Sequence, residues 1–235
     1  MMSNPISIII PVLNEAQNLG ETLSDLPDAP DLEVIVVDGG STDGTLAVAA
    51  GFPKVKVLTA SRGRGCQMNR GALASSGDLL VFLHADTRLT AENLQSLRDA
   101  ATDRAFAAGA FELELTPLVP ALRLIAWGAN RRSRLLGLPY GDQVLIVRRS
   151  LFFSLGGFAH RRPEDLDLVW RLRSRTCLRL LKPPVSSSGR RWLARGYLVT
   201  TLSNWLHLAR HLAERTLTSR WPEMGDIGKV GRGEP

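Results

Sequence analysis

Three acidic stretches of this chain carry residues that could do chemistry. Asp38 closes the run "VIVVD" and is followed by "GGSTDGT", which brings Gly39, Gly40, Gly44 and a second carboxylate, Asp43. Asp86 closes "LLVFLHAD", with His84 two positions before it. Glu164 and Asp165 stand side by side in "PEDLDL". A carboxylate beside bare glycine backbone can accept a hydrogen bond from a base N–H or a ribose hydroxyl while the ligand comes close. A carboxylate just past a buried strand can share a hard divalent cation, Mg²⁺ or Mn²⁺, with substrate phosphates. The macrodipole favours ionised acids at a helix N-terminus, which suits a base that takes a proton near neutral pH. Between the first two stretches lies "SRGRGCQMNRG", where Arg62 and Arg64 precede a helix start and could hold an anion.

Each feature also has a plainer alternative. Ser41 or Asp43 could simply cap a helix entry, Asp86 could be a turn residue before Thr87, and Arg62 and Arg64 could decorate a solvated loop. Glu164 and Asp165 could serve helix-end electrostatics alone. The glycine pattern is not the G-x-G-x-x-G of dinucleotide binding, and no Lys-Ser/Thr follows it as a P-loop requires.

Positioning these groups requires strands whose ends share one rim. "ISIIIPV" (6–12) and "LEVIVVD" (32–38) are almost continuous apolar runs, the mark of strands covered on both faces. "VKVLT" (55–59) and "DLLVFLHAD" (78–86) read as two further strands. Helices are expected over 14–26 with Asn14 as cap, over 42–50, over 66–76 stopped by Gly77, and over 90–100 capped by Thr90. This alternation predicts a parallel sheet with helices on both faces, and ligands bind such sheets along the strands' C-terminal edge. Asp38 and Asp86 would both lie there.

The second half is more mixed. A strand with one wet face is expected over 108–115, an Arg-rich helix over 117–136 and a strand over 143–148. A short helix over 150–158 should end at two glycines. A helix over 164–175 and a strand over 178–185, closed by two prolines, follow. Residues 190–217 read as one long helical tail, with a frayed stretch from Pro222.

The chain has 235 residues, enough for one substantial domain. Two cysteines, Cys66 and Cys177, are too few for a disulfide framework and point to a reducing, cytoplasmic setting. No signal peptide and no run of 18 apolar residues is visible. Residues 1–160 hold 14 Lys+Arg against 16 Asp+Glu, while 161–235 hold 15 against 7. That basic last third suggests a phosphate, anionic lipid or nucleic acid as neighbour.

Taken in order, these stretches resemble GT-A glycosyltransferases of the family 2 type along nearly the whole chain. "ISIIIPVLNEAQNL", "VIVVDGGSTDGT", "GDLLVFLHADT" and "PEDLDLVWRLR" are similar to that family's first strand, second strand, metal-binding Asp-x-Asp segment and Glu-Asp segment. "RGRGCQMNRGA", "WGANRRSRLLGLPYGDQ" and "RRWLARG" resemble a bacterial subgroup named the radical-SAM/selenodomain-associated transferase 2 group. The resemblance implies an α/β, Rossmann-like, mostly parallel sheet flanked by helices, with a C-terminal helical tail. The GT-A domain would cover 1–189, with a nucleotide-binding half (1–100) and an acceptor and catalytic half (101–189). An amphipathic helical tail (190–221) and a flexible end (222–235) would follow.

The same resemblance implies the site residues. Pro11, Asn14, Glu15 and Asp38 would line the base and ribose, with Arg62, Arg64 and Asn69 near the ribose or diphosphate. Asp86 would hold the divalent metal, Mg²⁺ or Mn²⁺. Asp165 would be the base with Glu164 beside it, and Arg190, Arg191 and Trp192 would resemble the end of the family's Gln-x-x-Arg-Trp element. The chain departs from the pattern twice: His84 stands where the first Asp of Asp-x-Asp would be, and Ser188 where the Gln would be. The second departure argues against a processive polymer synthase.

The implied reaction is metal-dependent, inverting transfer of a sugar from a nucleotide-diphosphate sugar to a hydroxyl acceptor. "LPYGDQ" (138–143) falls on the acceptor side, where Asp142 either contacts an acceptor or, the favoured reading, pairs with an Arg. In 192–217 an apolar stripe of Leu198, Leu202, Trp205, Ala209 and Leu212 packs on the domain or docks on the inner face of the plasma membrane. The second option would suit a lipid-linked acceptor. A nucleotidyltransferase on a related sheet and a non-catalytic nucleotide- or nucleic-acid-binding module are the rivals. Aromatics at 6% and no nucleic-acid motif weigh against the latter.

Overall fold

The computed structural model describes residues 6–159, 164–203 and 206. Strands β1 (Ile6–Val12), β2 (Leu32–Asp38), β3 (Lys56–Thr59) and β4 (Leu79–Phe82) alternate with helices α1 (Ala16–Ser24), α2 (Thr45–Ala50) and α3 (Arg64–Ala74). These strands lie side by side as β3-β2-β1-β4, all parallel, as the α/β alternation predicts. The two-residue β5 (Thr87–Arg88) and α4 (Ala91–Thr102) come next, then β6 (Ala108–Thr116), α5 (Pro120–Leu136) and β7 (Leu145–Arg148). The chain continues through α6 (Arg149–Ser154), α7 (Glu164–Arg173), β8 (Arg179–Ser188) and α8 (Arg190–Arg195). β7 joins β4 and β6 antiparallel, β8 runs parallel to β6, and β5 closes the far edge against β8. The result is an α/β fold with one mostly parallel, eight-stranded sheet flanked by helices.

The continuous apolar runs are explained by the two-residue period of a strand. Ile6, Ile8 and Ile10 of β1, Val36 of β2, and Leu79 and Val81 of β4 enter one core cluster. Ile9, Ile35, Val37, Leu80 and Phe82 enter the other, on the opposite face. Helix α3 lies directly on the second face: a side chain at Gly71 would collide with Ile9 and come within 3.1 Å of Val37 Cγ2. Bare backbone there lets the helix approach and brings its N-terminus to the rim.

Several boundaries differ from expectation for identifiable reasons. Asn14 does not cap α1; it has φ 55° and turns its side chain to the neighbouring loop. The β4 ladder stops at Phe82, so Asp86 lies in a turn beyond the strand rather than at its end. β6 lacks a wet face over its first six residues, because α5 covers it and Arg134 pairs with the buried Glu112. β8 is not closed by its prolines: its register with β6 jumps from Leu181 to Val185, so Pro183 and Pro184 fall in the irregularity. A bulge tolerates residues that cannot donate to the ladder. The expected continuous tail helix is broken at Gly196 (φ 87°) and is helical again over 197–203. Most of the tail stripe, with Trp205, Ala209 and Leu212, lies outside the described residues, as does the end from 222. Among the described residues no helix is long and apolar enough to cross a membrane.

Candidate active site

The loops after β1 and β2 are stitched together. β1 and β2 run in register to Val12 opposite Asp38, with the partly buried Pro11 opposite Val37. The buried Asp38 carboxylate accepts the backbone N–H of Gly40 (2.9 Å) and of Ser41 (3.0 Å). Asn14 Oδ1 accepts the Thr42 N–H at 2.9 Å, and Asn14 N–H donates to Ser41 Oγ at 2.9 Å. Glu15 N–H donates to Thr45 Oγ1 at 2.9 Å. Asp43 accepts the Thr45 N–H and hydroxyl, and the hydroxyl, above all, holds its pKa below the usual value.

The glycines follow from close approach. A Cβ on Gly39 would stand 3.0 Å from Cδ of Gln67, whose Nε2 donates to Val12 O (2.7 Å) and Val37 O (2.8 Å). Gln67 thus ties the two strand ends to α3, a role missed in the sequence. Its one signal there is an amide one turn into a helix that must lie on an apolar sheet. Gly40 adopts φ +91°, open to glycine but strained for other residues.

Arg190 links this loop pair to Asp86. Its Nη2 lies 3.0 Å from Glu15 Oε2 and 3.5 Å from Asp86 Oδ2. The Asp86 turn closes through Thr87 N–H to His84 O (3.1 Å), and Ser188 N–H donates to Asp86 O (3.1 Å). Burial raises the Asp86 pKa, and the Arg190 charge opposes it. Burial, then the charges of Arg64 and Arg191, bring His84 down to about 3, so its imidazole is neutral. Among the described residues no three His, Cys, Asp or Glu cluster to hold an ion by themselves. Asp86 offers one hard oxygen ligand, which fits an Mg²⁺ or Mn²⁺ ion completed by substrate phosphates rather than one caged by the protein.

The second carboxyl group closes on bare backbone. A Cβ on Gly141 would collide with Asp165 Oδ2, with Asp165 Cγ at 2.8 Å and His84 Nε2 at 2.9 Å. Asp165 and His84 are therefore neighbours across Gly141. Burial pushes the Asp165 carboxyl up to about 6, against the pull of Arg64, whose Nη1 stands 3.8 Å away; Glu164 and Asp142 add like charge. The β-carbon of Glu164 packs near Gly65 at the start of α3.

Two further side chains hold the glycine turn that precedes α7, the helix that carries Asp165. Arg171, one helical turn after Asp167, pairs with it at 2.8 Å and donates to Leu155 O (2.5 Å) and Gly157 O (2.7 Å). Asn69 of α3 clamps the same glycine turn, donating to Phe158 O (2.8 Å) and accepting Phe158 N–H (2.9 Å). The Asn69 amide is thus engaged with backbone. Trp192 is buried against Leu113, Leu115, Leu122 and Ala126. Arg62 and Arg191 are exposed. The charge of Arg191 acts on Asp86, His84 and Asp142 together. Among the described residues Asp142 makes no ion pair, and its Oδ1 is buried without a hydrogen-bond partner.

The mostly parallel α/β sheet with its Gly-rich turn after an acid-ended strand is the arrangement of the GT-A fold. The comparisons agree. Residues 7–149 match the model of the glycosyl transferase family 2. The chain belongs to that family and is a glycosyltransferase; the matched span ends before Glu164 and Asp165. An uncharacterized glycosyltransferase of Mycobacterium tuberculosis is 26% identical over 180 residues, 73% of this chain and 80% of that protein. The dolichyl-phosphate beta-glucosyltransferase of Drosophila melanogaster is 26% identical over 257 residues, 88% of this chain and 73% of that protein. The mannosyltransferase of Pyrobaculum calidifontis, solved with GDP-mannose and Mn²⁺, has the same fold at TM-score 0.66 and 22% identity. That alignment covers 92% of this chain and 65% of the mannosyltransferase.

Proposed function

We propose that this protein moves a sugar from a nucleoside-diphosphate sugar to an acceptor hydroxyl with inversion at the anomeric carbon. The observation that carries it is the Asp165 carboxyl, buried against Gly141 with Arg64 beside it and a pKa near 6. Such a group is ionised at neutral pH yet basic enough to accept a proton in the transition state. Asp165 takes the acceptor hydroxyl proton as that oxygen bonds to the anomeric carbon. The bond from that carbon to the diphosphate oxygen breaks, and its electron pair leaves with the nucleoside diphosphate. A single displacement inverts the centre. Glu164 lies beside the base.

Pro11, Asn14, Glu15 and the Asp38 loop would receive the base and ribose, and Arg62, Arg64, Arg190 and Arg191 the diphosphate. Preorganised positive charge acts most where negative charge grows, on the departing diphosphate. Asp86 would hold an Mg²⁺ or Mn²⁺ ion, which adds charge of the same sign when bound. Asn69 and Trp192 would act by positioning the elements around the cleft. The GDP-mannose and Mn²⁺ of the Pyrobaculum enzyme support both the donor class and the ion. The "RGRGCQMNRGA" and "LPYGDQ" stretches support membership of the radical-SAM/selenodomain-associated subgroup.

Calorimetric titration of UDP, GDP and their sugars, with Mn²⁺ and with chelator, tests this reading. Binding of a nucleotide sugar that Asp165→Asn retains while losing transfer supports it. No binding of any of them would refute it.

A lipid-linked acceptor has its own support. Residues 117–136 and 189–206 carry no Asp or Glu, and Arg123, Arg131 and Arg195 on them are exposed and, among the described residues, face no acid of the cleft. Leu124, Trp127, Leu135, Leu198 and Leu202 on these segments are all exposed. Apolar side chains among arginines suit an anionic bilayer surface, and the Drosophila relative is named for a dolichyl-phosphate substrate. Flotation with phosphatidylglycerol vesicles should exceed that with phosphatidylcholine and drop in Leu124→Asp/Leu135→Asp. Equal flotation of both vesicle types would remove the membrane reading without touching the transferase one.

A further inference from the structure

Asp142 is an acidic group that the reaction derived above leaves without a task. It lies in the 3₁₀ turn Gly141–Gln143, next to the glycine on which Asp165 closes. A buried carboxylate oxygen without a donor, such as its Oδ1, is costly and calls for an occupant. The nearest candidate cation is committed elsewhere. The Arg132 guanidinium stacks on Tyr140 at 3.7 Å and gives its N–H groups to Leu138 O (3.0 Å) and Gln143 Oε1 (3.4 Å). Arg132 and Arg191 act on Asp142 only through space.

The turn itself is held firmly. Gln143 Nε2 donates to Phe111 O (3.0 Å), and Ser133 Oγ donates to Gln143 Oε1 (2.6 Å). Val144, which ends the turn, has φ 56°, a strained conformation for a β-branched residue. Packing therefore imposes the position of Asp142 on a backbone that resists it.

Position decides what the occupant is. Asp142 follows Gly141, against which stand both Asp165, at the acceptor end of the cleft, and His84, two residues before Asp86 at the diphosphate end; the charges of both acids act on it. The part of a donor that lies between its diphosphate and the attacking hydroxyl is the sugar being transferred. We infer that Asp142 binds a hydroxyl of that sugar, which donates its hydrogen to Oδ1, and so selects sugars bearing a hydroxyl there. This rests on the transferase reading. Burial raises the Asp142 pKa against the charges of Arg132 and Arg191; its unpartnered Oδ1 is an acceptor, so it rewards an O–H and is left unpaired against a deoxy position.

The test compares Asp142→Ala and Asp142→Asn with the wild type, each first shown to melt as a folded protein. UDP, GDP, UDP-glucose and GDP-mannose are titrated with Mn²⁺. The expected result is nucleotide-sugar binding weakened at least about tenfold, with the matching nucleoside diphosphate unchanged within about twofold. Among monodeoxy analogues of the bound donor, one should cost the wild type as much as the mutation does and cost Asp142→Ala nothing more. Equal weakening of nucleotide and nucleotide sugar would assign Asp142 to the shape of the turn and overturn the inference. Unchanged binding of both, with a loss seen only against acceptor, would overturn it in favour of an acceptor contact. A wild type that binds none of the four compounds refutes the transferase reading and this inference with it, a result distinct from the other two.

Discussion

Replacing Asp165 by asparagine should stabilise the protein at neutral pH while stopping the reaction. In the folded chain the carboxyl rises from 3.8 to about 6, chiefly through burial. A raised acid pKa means the folded state binds the proton more tightly than the unfolded one. Its contribution is then fully present below about pH 4 and is lost as pH climbs through about 6. Above that pH the ionised carboxylate makes the folded state about 3 kcal/mol less stable than it would be with an unperturbed group. The side chain is 16% exposed, and solvent screening trims this to about 1.5–3 kcal/mol. Asparagine has the same shape and cannot ionise. At pH 7.5 the variant should therefore melt about 3–10 °C above the wild type, given the size of the chain. The gap should shrink steadily towards pH 4.5. Transfer should fall about 10³-fold at pH 7.5, and that deficit should narrow below about pH 6, where the wild-type kcat/KM drops as Asp165 protonates. Thermal melts of both proteins without ligand, at matched ionic strength from pH 4.5 to 7.5, are the assay. A gap that stays flat across that range, or a variant that melts lower at pH 7.5, would refute the reasoning.

Other perturbations separate the parts of the site. Gly141→Ala inserts a methyl group against Asp165 and His84 and should cut turnover about 100-fold or more with nucleotide affinity kept. Gly128→Ala, whose added carbon meets nothing within 4 Å, is the matched control and should leave turnover intact. Asp86→Asn should lower donor affinity measured calorimetrically with Mn²⁺ and change little in chelator; equal affinity in both would remove Asp86 from the ion. Arg171→Met breaks a buried pair and frees the carbonyls of Leu155 and Gly157, so urea unfolding should show a loss of about 3 kcal/mol.

Much of the nucleotide half is legible in the sequence, because its signals are local. A run of Ile and Val, an acid, two glycines and a following carboxylate lie within a dozen residues, and each does its work on its neighbours. Thr90 is legible for the same reason: it forms a capping box with Asn93, three residues on. The other half is built from distant contacts, and there the reading is incomplete. Gly141 looks like an ordinary turn glycine until His84 and Asp165 are brought to it from two other elements. The Arg171 helix-end charge gives no hint that it holds the turn around Gly157. The prolines of β8 read as the end of a strand, because the bulge in β8 that holds them shows only in its register against β6, far away in sequence. Asp142 was expected to pair with an arginine, yet Arg132 is turned aside by Tyr140 and Gln143.

The departure at His84 and the pKa of Asp165, the proposed base, belong to one arrangement. His84 Nε2 occupies the same small space beside Gly141 as the Asp165 carboxyl, and burial with the charges of Arg64 and Arg191 keeps the ring neutral. An ionised carboxylate in that place would sit beside Asp165 with Asp142, Glu164 and Asp86 already near. Like charge raises an acid pKa, and a base pushed well above neutrality would be protonated when the acceptor arrives. A neutral imidazole avoids this and lets Arg64, 3.8 Å from Asp165, hold the group near 6. The consequence falls on the donor side. In the proposed reaction, where Asp86 alone would share an ion, more of the charge on the departing diphosphate would be met by arginine. Arg190 already bridges Glu15 and Asp86, and Arg191 acts on three groups of the same cleft.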